Sequence, residues 1–103
     1  MKVFWTPYAR RSLRETIDFL SDQWNSEVID SFLILIDERL AQVKANPEMA
    51  PKLSSRPYRK LLIYKHVSLF YTNHKAYIKV LLILDNRQAP DNLYNKLTAI
   101  ENT

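Results

Sequence analysis

His66 and His74 are the only side chains in this sequence whose ordinary acid–base chemistry falls near neutral pH. Each stands between apolar runs, at a position that reads as a tight turn. A solvated turn histidine is therefore the ordinary reading, and a catalytic acid or base the alternative. With no obvious carboxylate partner nearby, the two make a poor metal site. The cations around them are more informative. Residues 49–84 hold Lys52, Arg56, Arg59, Lys60, Lys65, Lys75 and Lys79 and no carboxylate, whereas residues 1–48 carry a net charge of −2 and residues 85–103 a net of −1. Such a block suits a polyanion or an acidic protein, or else a lysine-rich sheet edge that resists aggregation. Tyr58, Tyr64, Tyr71 and Tyr77 alternate with these cations. That pattern can stack bases, although such tyrosines more often pack across strands. Arg87 directly follows a long apolar run, so a sheet can hold it rigidly. It either meets a ligand or pairs with Asp85 or Asp91.

Two absences narrow the chemistry. Without cysteine there is no thiol nucleophile, disulfide framework or Cys-ligated zinc site. Without glycine there is no P-loop or dinucleotide fingerprint, because both bring bare backbone against a phosphate. No cofactor and no metal are expected. The chain has 103 residues, 47% of them apolar and 25% charged, with a net charge of +4. Those figures describe one globular domain spanning residues 1–103. No apolar run approaches the roughly 18 to 20 residues of a membrane span, and no secretory apolar region follows Met1-Lys2. The expected location is the cytoplasm.

The elements that must position these residues follow from periodicity. Residues 2–5 read as a strand, and Thr6-Pro7 as a helix start, since Thr accepts from free N–H groups and Pro at the first position loses nothing. Ala9, Leu13, Ile17, Leu20 and Trp24 recur at helical spacing and predict the buried stripe of that helix. Asn25-Ser26 starts a second helix running to about Asn46, with a stripe of Ile29, Phe32, Leu33, Ile36, Leu40 and Val43 and a stop at Pro47. So short a connection implies an antiparallel helical hairpin. Residues 48–57, broken by Pro51 and Pro57, read as an irregular loop. Strands at 58–64, 67–72 and 75 or 76 to 84, split by Lys65-His66 and Asn73-His74, predict an antiparallel meander. The last of these is apolar at nearly every position past Lys79, as expected of a central strand covered on both faces. The hairpin covers one face. A short C-terminal helix using Leu93, Leu97 and Ile100 is the candidate for the other.

An α+β chain of this length with the order strand, helical hairpin, three-stranded antiparallel meander and C-terminal helix resembles the RelE/ParE toxin superfamily of type II toxin–antitoxin systems. Local sequences carry the resemblance. Val3-Phe4-Trp5-Thr6-Pro7-Tyr8-Ala9 is similar to the family's opening strand and helix start, and Leu40-Ala41-Gln42-Val43-Lys44-Ala45-Asn46-Pro47 to its helix end. Arg59-Lys60-Leu61-Leu62-Ile63 resembles the basic second strand, His66-Val67-Ser68-Leu69-Phe70-Tyr71 the third, and Asp85-Asn86-Arg87-Gln88-Ala89-Pro90 the Arg-x-x-Pro ending of the last.

The resemblance implies a toxin neutralised by a cognate, acidic antitoxin, assembled as a homodimer or as a heterotetramer with it, with no membrane partner. It leaves two targets. RelE-like members cut messenger RNA on the ribosome; ParE-like members poison DNA gyrase and lack the nuclease residues. Carried over residue by residue, the nuclease set is Arg59 or Lys60 on the second strand, Arg87 after the fourth and Tyr94 near the C-terminus. The third-strand arginine position falls at Ser68, which supplies no fixed charge, and the set is incomplete. This departure favours a ParE-like, non-nucleolytic gyrase inhibitor over an RNase. Arg59, Lys60, Lys65 and Arg87 are then the candidate target-binding residues. A degenerate member that binds only its antitoxin is the third reading.

Overall fold

A computed structural model describes residues 1–103. The chain runs β1 (Lys2–Trp5), α1 (Pro7–Leu20), α2 (Ser26–Ala45), β2 (Arg59–Tyr64), β3 (Val67–Asn73), β4 (Tyr77–Asp85) and α3 (Leu93–Glu101), with a 3-10 turn at Asn86–Gln88 before α3. Caps set both long helices. Thr6 Oγ1 accepts from the Ala9 N–H at 3.0 Å with Pro7 in the first turn, and the Asn25 side chain accepts from the Val28 N–H at 2.9 Å.

The strands form one sheet in the order β1-β4-β3-β2. β2, β3 and β4 make the expected antiparallel meander, and β1 adds to β4 in parallel. The strand with the longest apolar run is therefore interior. In a chain without glycine, both hairpins turn through lysines of positive φ, Lys65 at 49° and Lys75 at 68°.

The two faces are filled separately. On one, α1 and α2 bury Ala9, Leu20, Phe32, Ile36, Leu40 and Val43 against inward residues of the sheet. On the other, Leu97 and Ile100 of α3 pack on Tyr58, Phe70, Leu81 and Leu82. A helix of nine residues does not persist alone in water. Its two buried aliphatic side chains, at about 1.5–3 kcal/mol each, hold it to the sheet. A bulge makes this second face. The register passes from Tyr71 opposite Val80 to Phe70 opposite Leu82, leaving Leu81 unpaired. Ile78, Val80 and Ile83 consequently join the core under α1 and α2 while the consecutive Leu81 and Leu82 join the α3 core.

Two helical expectations need correction. α1 ends at Leu20, so Trp24 lies beyond it in the connection, and its buried residues are Ala9, Ser12, Thr16 and Leu20, with Leu13 and Ile17 only half-buried. Ser12 is inward because the backbone of β4 needs it: beside the bulge, the Ile83 N–H donates to Ser12 Oγ at 2.9 Å. In α2, Leu33 is exposed and Ile29 half-buried, leaving Phe32, Ile36, Leu40 and Val43 as the inner stripe.

Candidate functional site

Folding disperses the basic block of residues 49–84. Lys79 turns inward, only 8% exposed, and its ammonium donates to the Glu101 backbone carbonyl at 2.6 Å and to the Glu101 carboxylate at 3.3 Å. The same carboxylate accepts from Thr72 Oγ1 at 2.7 Å and meets His74 Nε2 at 3.0 Å. A carboxylate from α3, 22 positions away in sequence from Lys79, thus lies against the hairpin where none was expected. His74 is no free turn histidine: it contacts Glu101 and stacks on Tyr77 with ring centroids 4.7 Å apart. Arg59 is also committed. Its Nη1 donates to the carbonyls of Ala50 at 2.7 Å and Glu48 at 3.2 Å, pinning the irregular loop to β2.

The charge that remains accessible near the sheet includes two neighbouring places. Lys60, on the edge strand, lines a groove of about 390 Å³ with Arg39, Ser68 and Asn86. Arg39 Nη2 caps the exposed Leu62 carbonyl of that edge at 3.2 Å. At the β2–β3 turn, Lys65, His66 and Arg87 line a recess of about 160 Å³ with Gln23 and Trp24. Asn86 links the two, its side-chain amide donating to Ser68 Oγ at 2.9 Å and its N–H to the His66 carbonyl at 2.6 Å.

Asp85 organises the recess. Its side chain is 1% exposed at the end of β4, while that of Arg87 is 46% exposed. The carboxylate accepts from the Arg87 N–H at 2.9 Å, from Nε at 3.0 Å and from Nη2 at 2.7 Å. The Arg87 side-chain hydrogen bonds hold the Asp85 carboxyl below the usual carboxylate range despite burial, and the same pairing raises Arg87. The pairing of Arg87 with Asp85, one of its two sequence readings, is thus present. It still leaves part of the guanidinium facing outward. The Asp-x-Arg spacing at the end of an apolar strand was the signal for it.

The residues proposed for RNA cleavage have different neighbours. Arg59 serves the loop, Lys60 the groove and Arg87 the recess, while Tyr94 is 3.4 Å from Ser54 Oγ with the Arg56 guanidinium 5.0 Å from its ring centroid. Ser68, at the third-strand position, is fully buried. The tyrosines of the meander also have structural partners. Tyr71 is buried and donates to the Pro47 carbonyl at 2.9 Å, and burial pushes its phenol up. Tyr58 meets Thr98 Oγ1 at 2.6 Å, and Tyr64 packs edge-on to Trp24 at 5.4 Å. No group of three or more His, Asp or Glu side chains is arranged to hold a metal ion. No helix is long and apolar enough to cross a membrane.

Comparison with known proteins bears on this arrangement. A family model described as the ParE toxin of the type II toxin–antitoxin system parDE matches residues 3–90. That span runs from β1 through the turn carrying Arg87 and stops before α3. No curated protein matches the chain. Among solved structures, a chain from the chromosomal ParDE toxin–antitoxin system of P. aeruginosa superposes with a TM-score of 0.66 at 20% identity, covering 81% of this chain and 92% of that one.

Proposed function

The chain belongs to the ParE toxin family of type II toxin–antitoxin systems, and on that premise we propose that it inhibits DNA gyrase by binding, without hydrolytic chemistry. Membership in a parDE system brings with it a cognate ParD antitoxin as partner. The observation that carries the gyrase reading is that members of the would-be nuclease set are engaged by other groups or lack the charge the chemistry needs. Cleavage through the RNA 2′-hydroxyl needs a base, cations at the phosphate and a donor for the leaving oxygen within reach of one phosphodiester. Here Arg59 is occupied by backbone carbonyls, Ser68 supplies no charge, and Tyr94 meets Ser54 and Arg56. In this reading target contact falls to Lys60, Lys65 and Arg87, with Arg59 acting through the loop it anchors.

Two assays on the purified chain test the proposal. With gyrase, ATP and relaxed plasmid, supercoiling falls as the chain is added. In a translation extract, primer extension finds the messenger intact. Cuts in translated mRNA with undisturbed supercoiling would replace the proposal with the nuclease reading. A chain inactive in both assays and harmless when expressed would be a degenerate member that binds only its antitoxin.

A further inference from the structure

We propose that the recess under the β2–β3 turn is a receptor for a single carboxylate side chain, a glutamate or aspartate presented by an acidic partner protein. The proposal rests on the reading above that Lys65 and Arg87 meet a partner.

The argument starts from the guanidinium of Arg87. A guanidinium has five N–H donors in a planar fork. Asp85 takes one from Nε and one from Nη2 along the side of the fork, so one donor of Nη1 and the second donor of Nη2 remain side by side on its end-on edge, while the other Nη1 donor faces back toward Cδ. That edge has the geometry to grip a second carboxylate bidentately. It is also preorganised. Asp85 is buried and fixes the plane of the guanidinium, and the Asn86 N–H ties the turn carrying Arg87 to the His66 carbonyl. Little side-chain freedom is left to lose when a ligand arrives.

The other walls complete the fit. Lys65 sits in the turn at φ 49°, with its ammonium 5.3 Å from the Tyr64 ring centroid. Trp24 is wedged edge-on against Phe32 at 5.3 Å and Tyr64 at 5.4 Å, so it forms a fixed wall. Leu20 and Val67 contribute apolar surface, and Gln23 and His66 further polar atoms. With Asp85 neutralising Arg87, the unmatched charge is that of Lys65, which balances one carboxylate. Leu20, Trp24 and Val67, three of the eight residues that line it, give the methylenes of an acidic side chain an apolar contact beside the two cations.

The experiment uses the full chain, labelled with nitrogen-15, with N-acetylglutamate amide as probe and N-acetylglutamine amide as the uncharged control. The Trp24 indole and Arg87 Nε–H resonances should shift saturably with the acid, and at least about tenfold more weakly with the amide, as loss of a charge-assisted contact demands. Lys65→Asn removes the charge and suits the positive φ of the turn; Arg87→Lys keeps a cation beside Asp85 and removes the fork. Each should weaken acid binding about threefold or more with an unchanged circular dichroism spectrum. Lys65→Asn should also weaken either gyrase inhibition or antitoxin affinity, which identifies the partner that supplies the carboxylate. Equal shifts with both probes, shifts unchanged in both variants, or tighter binding of a short single-stranded oligonucleotide at the same resonances would overturn the proposal. If carboxylate binding is present while wild-type chain leaves gyrase untouched, the gyrase reading falls and the receptor stands. Inhibition of gyrase that is indifferent to both variants, with no carboxylate binding, sinks the receptor alone.

Discussion

Removing the Glu101 carboxylate tests whether α3 is latched to the sheet by charge as well as by apolar packing. In Glu101→Ala the contacts from Thr72 Oγ1, His74 Nε2 and Lys79 Nζ are lost together. Lys79 keeps the Glu101 backbone carbonyl at 2.6 Å, so its ammonium is not orphaned. A hydrogen bond to a charged group contributes about 1.5–3 kcal/mol. The Glu101 side chain is 20% exposed, and water replaces part of what is removed, which places the expected loss near 2 kcal/mol. For a domain of this size that is a fall in Tm of about 10 °C. The sharper readout is a double-mutant cycle with Lys79→Met, followed by urea denaturation. The coupling between the two positions should be about 1 to 2 kcal/mol. Additive losses, with coupling below about 0.3 kcal/mol, would refute a charge latch between Lys79 and Glu101 and leave apolar packing and neutral hydrogen bonds such as Tyr58–Thr98 to hold α3.

Two further outcomes follow from other contacts. Thr6→Ala removes the α1 cap and the Thr6 Oγ1 donation to the Val80 carbonyl at 2.9 Å, while the Thr6 N–H still serves that carbonyl at 3.1 Å; thermal denaturation should register a loss of about 1 kcal/mol, largely restored by Thr6→Ser, and no loss would contradict the capping argument. Because Arg87 holds the Asp85 carboxyl below its usual value, the stabilisation by this pair is complete above the unfolded carboxylate range and is lost as pH falls through the depressed folded value. Wild type should therefore lose its advantage over Asp85→Asn as urea midpoints are followed from pH 6 downwards, and parallel curves would contradict the assignment.

Much of the architecture can be read from local pattern. Thr6-Pro7 and Asn25-Ser26 start helices because a side-chain oxygen meets free N–H groups within three residues, and Pro47 follows the end of α2 for an equally local reason. The apolar run of β4 announced an interior strand because a strand covered twice has no solvent face to mark. The inner faces of the helices were harder. Leu13, Ile17 and Leu33 satisfy helical spacing as well as the residues actually buried, and choosing Ser12 and Thr16 instead depends on where α1 meets β4.

The site divides along the same line. By its residue order alone this sequence determined strand, two helices, meander and final helix, the exclusion of thiol and P-loop chemistry, and the place of Arg87 directly after β4. Those properties depend on spacing within a few residues or on composition. Tertiary structure alone decided which cations stay available: Glu101 draws Lys79 and His74 into the hold on α3, and the loop carbonyls take Arg59. It also decided that Trp24, 63 positions from Arg87 in the chain, walls the same recess. Charge neutralisation and pocket formation are set by distance in space, and no periodicity in the chain encodes which remote side chain will arrive.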